Sequence, residues 1–198
     1  WAYDGRGRLA RITNALGQAT RYRYTEAGET ARAAMPADHA NHPGQLEEIV
    51  HPDNTSEHFA HDAEGRLLAH TDALGRRTSY SYTRAGLVSQ RTDAAGHTLK
   101  YHWDLLGRLR ELHNENGSRY DFRYDPVGRL LEETGFDRKT TQYRYDEASG
   151  VLAEVIEAGH STRLEFDPLG RLSERQAGDQ AERFAYDRNG RLVEATNA

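Results

Sequence analysis

Ten glycines, each closing a short polar stretch, recur at nearly constant intervals: Gly7, Gly28, Gly44, Gly65, Gly86, Gly107, Gly128, Gly150, Gly170 and Gly190. The steps between them are 21, 16, 21, 21, 21, 21, 22, 20 and 20 residues. A fixed period of this length marks a chain built from repeated supersecondary units rather than from one irregular core. The unit reads aromatic–Asp–x–x–Gly–Arg–Leu. It appears as Tyr3-Asp4 to Gly7-Arg8-Leu9, Trp103-Asp104 to Gly107-Arg108-Leu109, and Tyr124-Asp125 to Gly128-Arg129-Leu130. It returns as Phe166-Asp167 to Gly170-Arg171-Leu172 and Tyr186-Asp187 to Gly190-Arg191-Leu192, and with His61 in the aromatic slot before Asp62 to Gly65.

Turn chemistry explains these residue types. An Asp at the first corner of a type I turn accepts hydrogen bonds from the backbone beyond it, Pro suits the second corner and Gly the fourth. Asp125-Pro126-Val127-Gly128 and Asp167-Pro168-Leu169-Gly170 fill all of these slots. A second series of turns lies about ten residues further on, as Asn14 to Gly17, Asp72 to Gly75, Asp93 to Gly96 and Asn114 to Gly117. After Pro52-Asp53, Asn54 takes the glycine slot, Asn being the usual substitute where φ must be positive.

The segments between turns alternate. Tyr22 and Tyr24, Tyr80 and Tyr82, Tyr101 and Trp103, Phe122 and Tyr124, and Tyr143 and Tyr145 are spaced by two, with Arg23, Ser81, His102, Arg123 and Arg144 between them. That period places each aromatic pair on one face of a strand. The expected fold is therefore all-β: about ten tandem antiparallel hairpins, forming one long, curved, twisted sheet. Hydrophobic residues are 36% of the chain, charged residues 29%, and the mean hydropathy is −0.90. Such a supply covers one sheet face rather than a sandwich core, so a single layer wetted on both faces is expected. The array spans 1–198, with an irregular insertion or shortened repeat around 31–43, where Met35-Pro36 and His42-Pro43 interrupt the pattern. One extra residue between Asp146 and Gly150 predicts a local bulge.

Composition narrows the function. A net charge of −5, with Arg interleaved among Asp and Glu, disfavours a nucleic-acid groove. The absence of Cys removes disulfides, thiolate metal sites and cysteine catalysis together. No apolar stretch reaches membrane-spanning length and no signal peptide is visible. The chain opens on Trp1 and stops in mid-pattern at Ala198, so it reads as a fragment of a longer protein.

The aromatic–Asp–x–x–Gly–Arg–Leu runs, with Asp-Ala-Leu-Gly turns between them, resemble the bacterial Rhs (rearrangement hot spot), or YD-repeat, family. Wall-forming components of insecticidal toxin complexes and teneurins share the repeat. The resemblance implies a β-strip that winds into a hollow shell enclosing a C-terminal toxin, in proteins exported or delivered by secretion systems. What it carries over to this chain is confined to turn and wall positions: Tyr3, Asp4, Gly7, Asp62, Gly65, Trp103, Asp104, Gly107, Tyr124, Asp125, Gly128, Phe166, Asp167, Gly170, Tyr186, Asp187 and Gly190. The partners it implies are the rest of the shell and the enclosed cargo. The family's self-cleaving C-terminal plug has no match here.

Two other readings stand beside the wall. The aromatic ladder of a secreted binding module would stack on a glycan, better sought near residues 31–58 than on the regular ladder. A glycosidase would need two singled-out carboxylates. Near-identical Asp and Arg residues every 21 positions instead indicate turn caps, each Asp pairing with an Arg two strands over or that Arg stacking on an aromatic. His39 and His42, or His58 and His61, suggest a metal, but the odd spacing of the second pair puts them on opposite strand faces. No catalytic residue, cofactor or metal is expected. Exposed terminal strands favour edge-to-edge self-association.

Overall fold

The computed structural model describes residues 1–26 and 44–197. The described residues contain strands and turns and no helix. They group into two units, Trp1–Tyr101 and His102–Ala198.

The first unit holds β1 (Ala2–Tyr3), β2 (Leu9–Thr13), β3 (Ala19–Tyr24), β4 (Leu46–Val50), β5 (Ser56–His61), β6 (Leu67–Thr71), β7 (Arg77–Tyr82), β8 (Val88–Thr92) and most of β9 (Thr98–Trp103). The second holds β10 (Leu109–Asn114), β11 (Arg119–Tyr124), β12 (Leu130–Thr134), β13 (Thr140–Tyr145) and β14 (Leu152–Glu157). It continues through β15 (His160–Phe166), β16 (Leu172–Ala177), β17 (Gln180–Tyr186) and β18 (Leu192–Asn197). Within each unit every strand pairs antiparallel with the next in sequence, giving a meander that grows by one hairpin per repeat.

The expected turns are present. In the Asp104 turn the Gly107 N–H donates to the Asp104 carbonyl at 3.1 Å, and the Asp104 N–H donates to the Arg108 carbonyl at 2.9 Å. Gly107 itself sits at φ 75°. This is a type I corner closed by a left-handed residue. Asn54 stands in the same conformation, at φ 65°, as its slot predicted. Hairpins closed by the first series of turns shift register by one residue just before the corner, as between Arg123 and Tyr124 at the Asp125 turn and between Ser81 and Tyr82 at the Thr83 turn. The shift belongs to the repeat and is not peculiar to the Asp146 hairpin. There the additional residue widens the turn instead, so that the Gly150 N–H reaches the Asp146 carbonyl from four residues on, at 2.8 Å.

One turn of the series has an unusual opening residue and span. The Thr25 N–H donates to the Gln45 carbonyl and the Gly44 N–H to the Thr25 carbonyl, each at 2.8 Å. Gly44 is therefore the closing glycine of the turn that Thr25 opens, and β3 pairs directly with β4. Gly28, and the irregular insertion or shortened repeat expected around 31–43, lie outside the described residues. Among the described residues nine turns of this series are closed, seven opened by Asp and two by Thr25 and Thr83. The interruption expected at Met35-Pro36 and His42-Pro43 lies outside the described residues.

The sheets are one layer thick. The buried apolar residues among those described are only Ala19, Ala60 and Ala69, and no large side chain is fully buried. Each unit nevertheless has two distinct faces. One carries Tyr22 opposite Ile49, Phe59 opposite His70, Phe122 opposite Glu133 and Tyr143 opposite Val155. The other carries cross-strand charge pairs: Arg23 with Glu48, Arg123 with Glu132 at 3.2 Å, Arg144 with Glu154 at 3.0 Å and Arg183 with Glu174 at 2.9 Å.

Candidate functional site: the repeated Asp–Arg–Tyr station

The sequence-selected residues converge on a station that recurs along the strip. At Asp104, one carboxylate oxygen accepts the backbone N–H of Leu106 at 2.9 Å and of Arg108 at 3.0 Å. The other oxygen takes the Arg108 Nε–H at 2.7 Å. The guanidinium is thereby held over the ring of Tyr124, 4.9 Å from its centroid. The Tyr124 hydroxyl donates back to the carbonyl of Leu109 at 2.8 Å. Arg108 Nη1 also reaches the carbonyl of Asp125, the corner of the next repeat, at 3.3 Å.

One arginine therefore joins two repeats. Its Nε is fixed by its own turn and its flat face by the following one. The bidentate, planar guanidinium suits this double duty in a way an ammonium does not. The same station forms at Asp4–Arg8–Tyr24, Asp62–Arg66–Tyr82, Asp125–Arg129–Tyr145 and Asp167–Arg171–Tyr186, with guanidinium-to-ring distances of 4.5, 4.9, 4.6 and 4.8 Å. Asp125 is buried, at 7% exposure. The Asp104 and Asp167 carboxyls are held below their ordinary range, first by the backbone N–H of the arginine four residues on and then by its side chain. At Asp62 and Asp125 partial burial pushes upward, but the bonds from Arg66 and Arg129 outweigh it. Burial also raises the Tyr82 and Tyr124 hydroxyls.

The expected pairing of Asp with an Arg two strands over is corrected: the partner lies four residues on, within the same turn. What crosses to the next repeat is the stacking on Tyr and the Nη1 bond to the next turn's backbone, as from Arg108 to the Asp125 carbonyl. Of the other residues selected from sequence, Tyr3 is exposed, whereas Trp103 and Phe166 are half-buried at the ends of their strands. Gly7, Gly65, Gly128, Gly170 and Gly190 close their turns.

The geometry exposes a rule the sequence contained but did not advertise. In five repeats of the first turn series where Arg follows the closing glycine, the residue fifteen or sixteen positions later is Tyr: Arg8 and Tyr24, Arg66 and Tyr82, Arg108 and Tyr124, Arg129 and Tyr145, Arg171 and Tyr186. Where Arg is replaced, so is Tyr: Gln45 precedes His61, Leu87 precedes Trp103 and Val151 precedes Phe166. Gln45 keeps part of the arginine's function, its Nε2 donating to the Asp62 carbonyl at 3.3 Å.

Two clusters depart from the repeat. Glu57 on β5 accepts the Nε2 of His51 at 2.8 Å and of His70 at 2.7 Å, and His70 stacks on Phe59 with centroids 4.8 Å apart. The hydrogen bonds of His70 and then His51 hold the Glu57 carboxyl below its ordinary range. On β11 and β12, Tyr120 stacks on Phe122 and meets Phe136 edge-on, at 4.7 and 5.6 Å, and Tyr143 donates to Glu133 at 2.7 Å. Neither cluster was foreseen, because each depends on which residues face one another across strands. His58 bonds Ser56 at 3.1 Å, and burial lowers the His61 imidazole. Among the described residues no group of three or more His, Asp or Glu is arranged to hold a metal ion. The His39 and His42 pair lies outside them. No helix among the described residues is long and apolar enough to cross a membrane.

Fold and station together define a class: tandem hairpin-repeat proteins whose single-layer sheet is fastened repeat to repeat by an Asp–Arg–Tyr link. The profile of the RHS Repeat matches residues 3–36, 61–98 and 103–140, more than half of the chain. The chain belongs to the Rhs repeat family. It is similar in fold to the crystal structure of TcdB2-TccC3, with a TM-score of 0.62 and 15% identity over 96% of this chain and 13% of that one. A second crystal structure, TcdB2-TccC3-TEV, gives a TM-score of 0.61 at 15% identity, over 98% of this chain and 12% of that one. The Photorhabdus luminescens Tc holotoxin pore gives 0.57 at 16% identity, over 96% and 12%. This chain thus spans only a small part of each solved chain. No curated protein matches it.

Proposed function

We propose that residues 1–198 form one repeat array that serves as a stretch of shell wall around a toxin or similar cargo, in a protein secreted or delivered from the cell. The observation that carries this reading is the single-layer sheet whose repeats are joined by Asp–Arg–Tyr links while, among the described residues, no large side chain is fully buried. A sheet one layer thick has no core to fill and suits a wall. Its self-paired charged face offers a cargo chain little apolar surface on which to collapse. The selected Asp, Gly, aromatic and Arg residues are wall positions in this reading, and the chain is not an enzyme. Its fold neighbours, which include a Tc holotoxin pore, support a place in a toxin assembly.

The test is limited proteolysis of the full-length protein that carries this array. A cargo segment should resist protease in the wild type and become cleavable when Arg108, Arg129 and Arg171 are replaced together by Leu. Equal protection in both proteins would refute the wall reading. A glycan platform is less well supported, because Trp103 and the paired tyrosines from Tyr22 to Tyr145 are half-buried in the sheet.

A further inference from the structure

Two neighbouring turns on one rim of the second unit depart from the repeat. The turn between β12 and β13 reads Gly135-Phe136-Asp137-Arg138, where its counterparts read Asn14-Ala15-Leu16-Gly17 and Asp72-Ala73-Leu74-Gly75. Glycine has moved to the first corner, and Arg138 stands at the fourth with φ 65°. The next turn on that rim, between β14 and β15, places Ala158 at φ 49° ahead of Gly159. Among the described residues the only other side-chain-bearing residue at positive φ is Asn54, and Asn tolerates that conformation. Arg and Ala do so poorly, and backbone outliers of this kind gather at ligand-binding positions. Arg138 and Ala158 line the same open depression, of about 450 Å³, with Lys139 beside them and Thr140, Gln142 and Ile156 along its floor.

Register sets Thr140 opposite Thr134, and Gln142 opposite both Glu132 and Ile156, so the depression lies on the face that carries the cross-strand charge pairs. Its charge is not paired in the same way. Arg138 also borders a second depression beside Arg110, Arg119 and Arg123, but Glu111, Asp121 and Glu132 hold those three guanidiniums at 3.6, 2.9 and 3.2 Å. The Arg138 side chain has no ion pair or hydrogen bond among the described residues. Lys139 meets Asp137 at 3.2 Å, but both side chains are well exposed, and such a pair contributes little. No carboxylate lines the depression between the two turns. Two cations, a hydroxyl and an amide thus border a hollow with room for an anion and a small body that carries it. We propose that it binds a phosphate group, free or as the monoester of a small polar molecule. Arg138 supplies the planar, bidentate contact and Lys139 the second positive charge. A phosphate monoester carries about −1.5 to −2 at neutral pH and answers both, whereas a single carboxylate leaves one cation unanswered. Thr140 and Gln142 hydrogen-bond the body of the ester. Glycine suits the turn better at position 138; the arginine serves the ligand. This inference does not depend on what the strip encloses.

The test is an NMR titration of the isotope-labelled 198-residue chain with inorganic phosphate and with glucose 6-phosphate, each up to about 20 mM. Both should give saturable amide shifts confined to residues 137–142 and 156–160, with Kd on the order of 1 mM. A lower Kd for the ester assigns the site to a phosphorylated small molecule, and equal values assign it to the free anion. Arg138→Gly should raise the urea midpoint and still weaken phosphate binding by about tenfold or more, a combination that damage to the fold cannot produce. Lys139→Gln should weaken it by about fivefold. Arg188→Gln removes an exposed cation from another turn of the unit and should leave Kd unchanged. The inference is overturned if no shift saturates, if the shifts spread over arginines throughout the chain, or if acetate binds as tightly as phosphate. It is equally overturned if Arg138→Gly binds phosphate like the wild type, or if Arg188→Gln weakens binding as much as Arg138→Gly does.

Discussion

The link between Arg108 and Tyr124 offers the most discriminating test of how the repeats are joined. Two contributions meet at Tyr124. Its hydroxyl donates to the Leu109 carbonyl at 2.8 Å, a bond whose removal in Tyr124→Phe should cost about 1 kcal/mol. Its ring carries the Arg108 guanidinium 4.9 Å from the centroid, a half-exposed cation–π contact contributing about 0.5–1 kcal/mol. Tyr124→Leu removes both and leaves a gap beneath the guanidinium, so it should cost about 2–3 kcal/mol. In a double-mutant cycle with Arg108→Leu, the coupling between the two positions should be about 0.5–1 kcal/mol, the share that needs both partners. The exchange at Leu87 and Trp103 sharpens the prediction. Arg108→Leu and Tyr124→Trp made together should cost less than the sum of the two single changes. The assay is urea unfolding followed by far-UV circular dichroism, with hydrogen exchange of the β11 and β12 amides as a local reading. If the two substitutions add to within about 0.3 kcal/mol in both cycles, the stacking is incidental and the repeats are held by backbone pairing alone.

Three further outcomes follow from the same geometry. Arg138 occupies a left-handed position, at φ 65°, where its counterparts are mostly glycine; Arg138→Gly should raise stability by about 1 kcal/mol, read as a higher urea midpoint. Glu57 has a folded-state pKa depressed by His70 and His51, so its contribution is present above its unfolded value and lost as pH falls through the folded one; the turn aspartates share this sign. Unfolding should therefore become easier as pH drops below about 4.3, and Glu57→Gln should show a smaller drop in urea midpoint between pH 7 and pH 3 than the wild type; an equal or larger drop would refute the clamp. Finally, deleting one 21-residue unit should preserve soluble yield better than replacing Gly107, Gly128 and Gly170 by Val, because the replacements force positive φ on branched residues; equal loss of soluble protein would count against turn-limited folding.

The turns were legible because their chemistry is local. Asp104, Gly107 and the alternation of Phe122, Arg123 and Tyr124 each act on residues within a few positions, so composition at fixed spacing was enough to place hairpins, strand faces and a one-layer sheet. Even there, local information reached a limit at Gly28 and Gly44. Both sit in glycine-type slots, and only the pairing of β3 with β4 identified Gly44 as the partner of Thr25. Likewise the two-residue turn at Ala158-Gly159, with Ala158 at φ 49°, carries no Asx signal at its corner.

Sequence by itself therefore determined that the chain reverses at regular intervals and which side chains share a face. Tertiary structure alone decided which repeat each arginine binds, why Tyr is lost where Arg is lost, and how His51 and His70 come to flank Glu57. The physical reason is that cross-strand neighbours are set by register. Arg108 lies over Tyr124, sixteen positions away on the following hairpin, and no window of neighbouring residues specifies that contact.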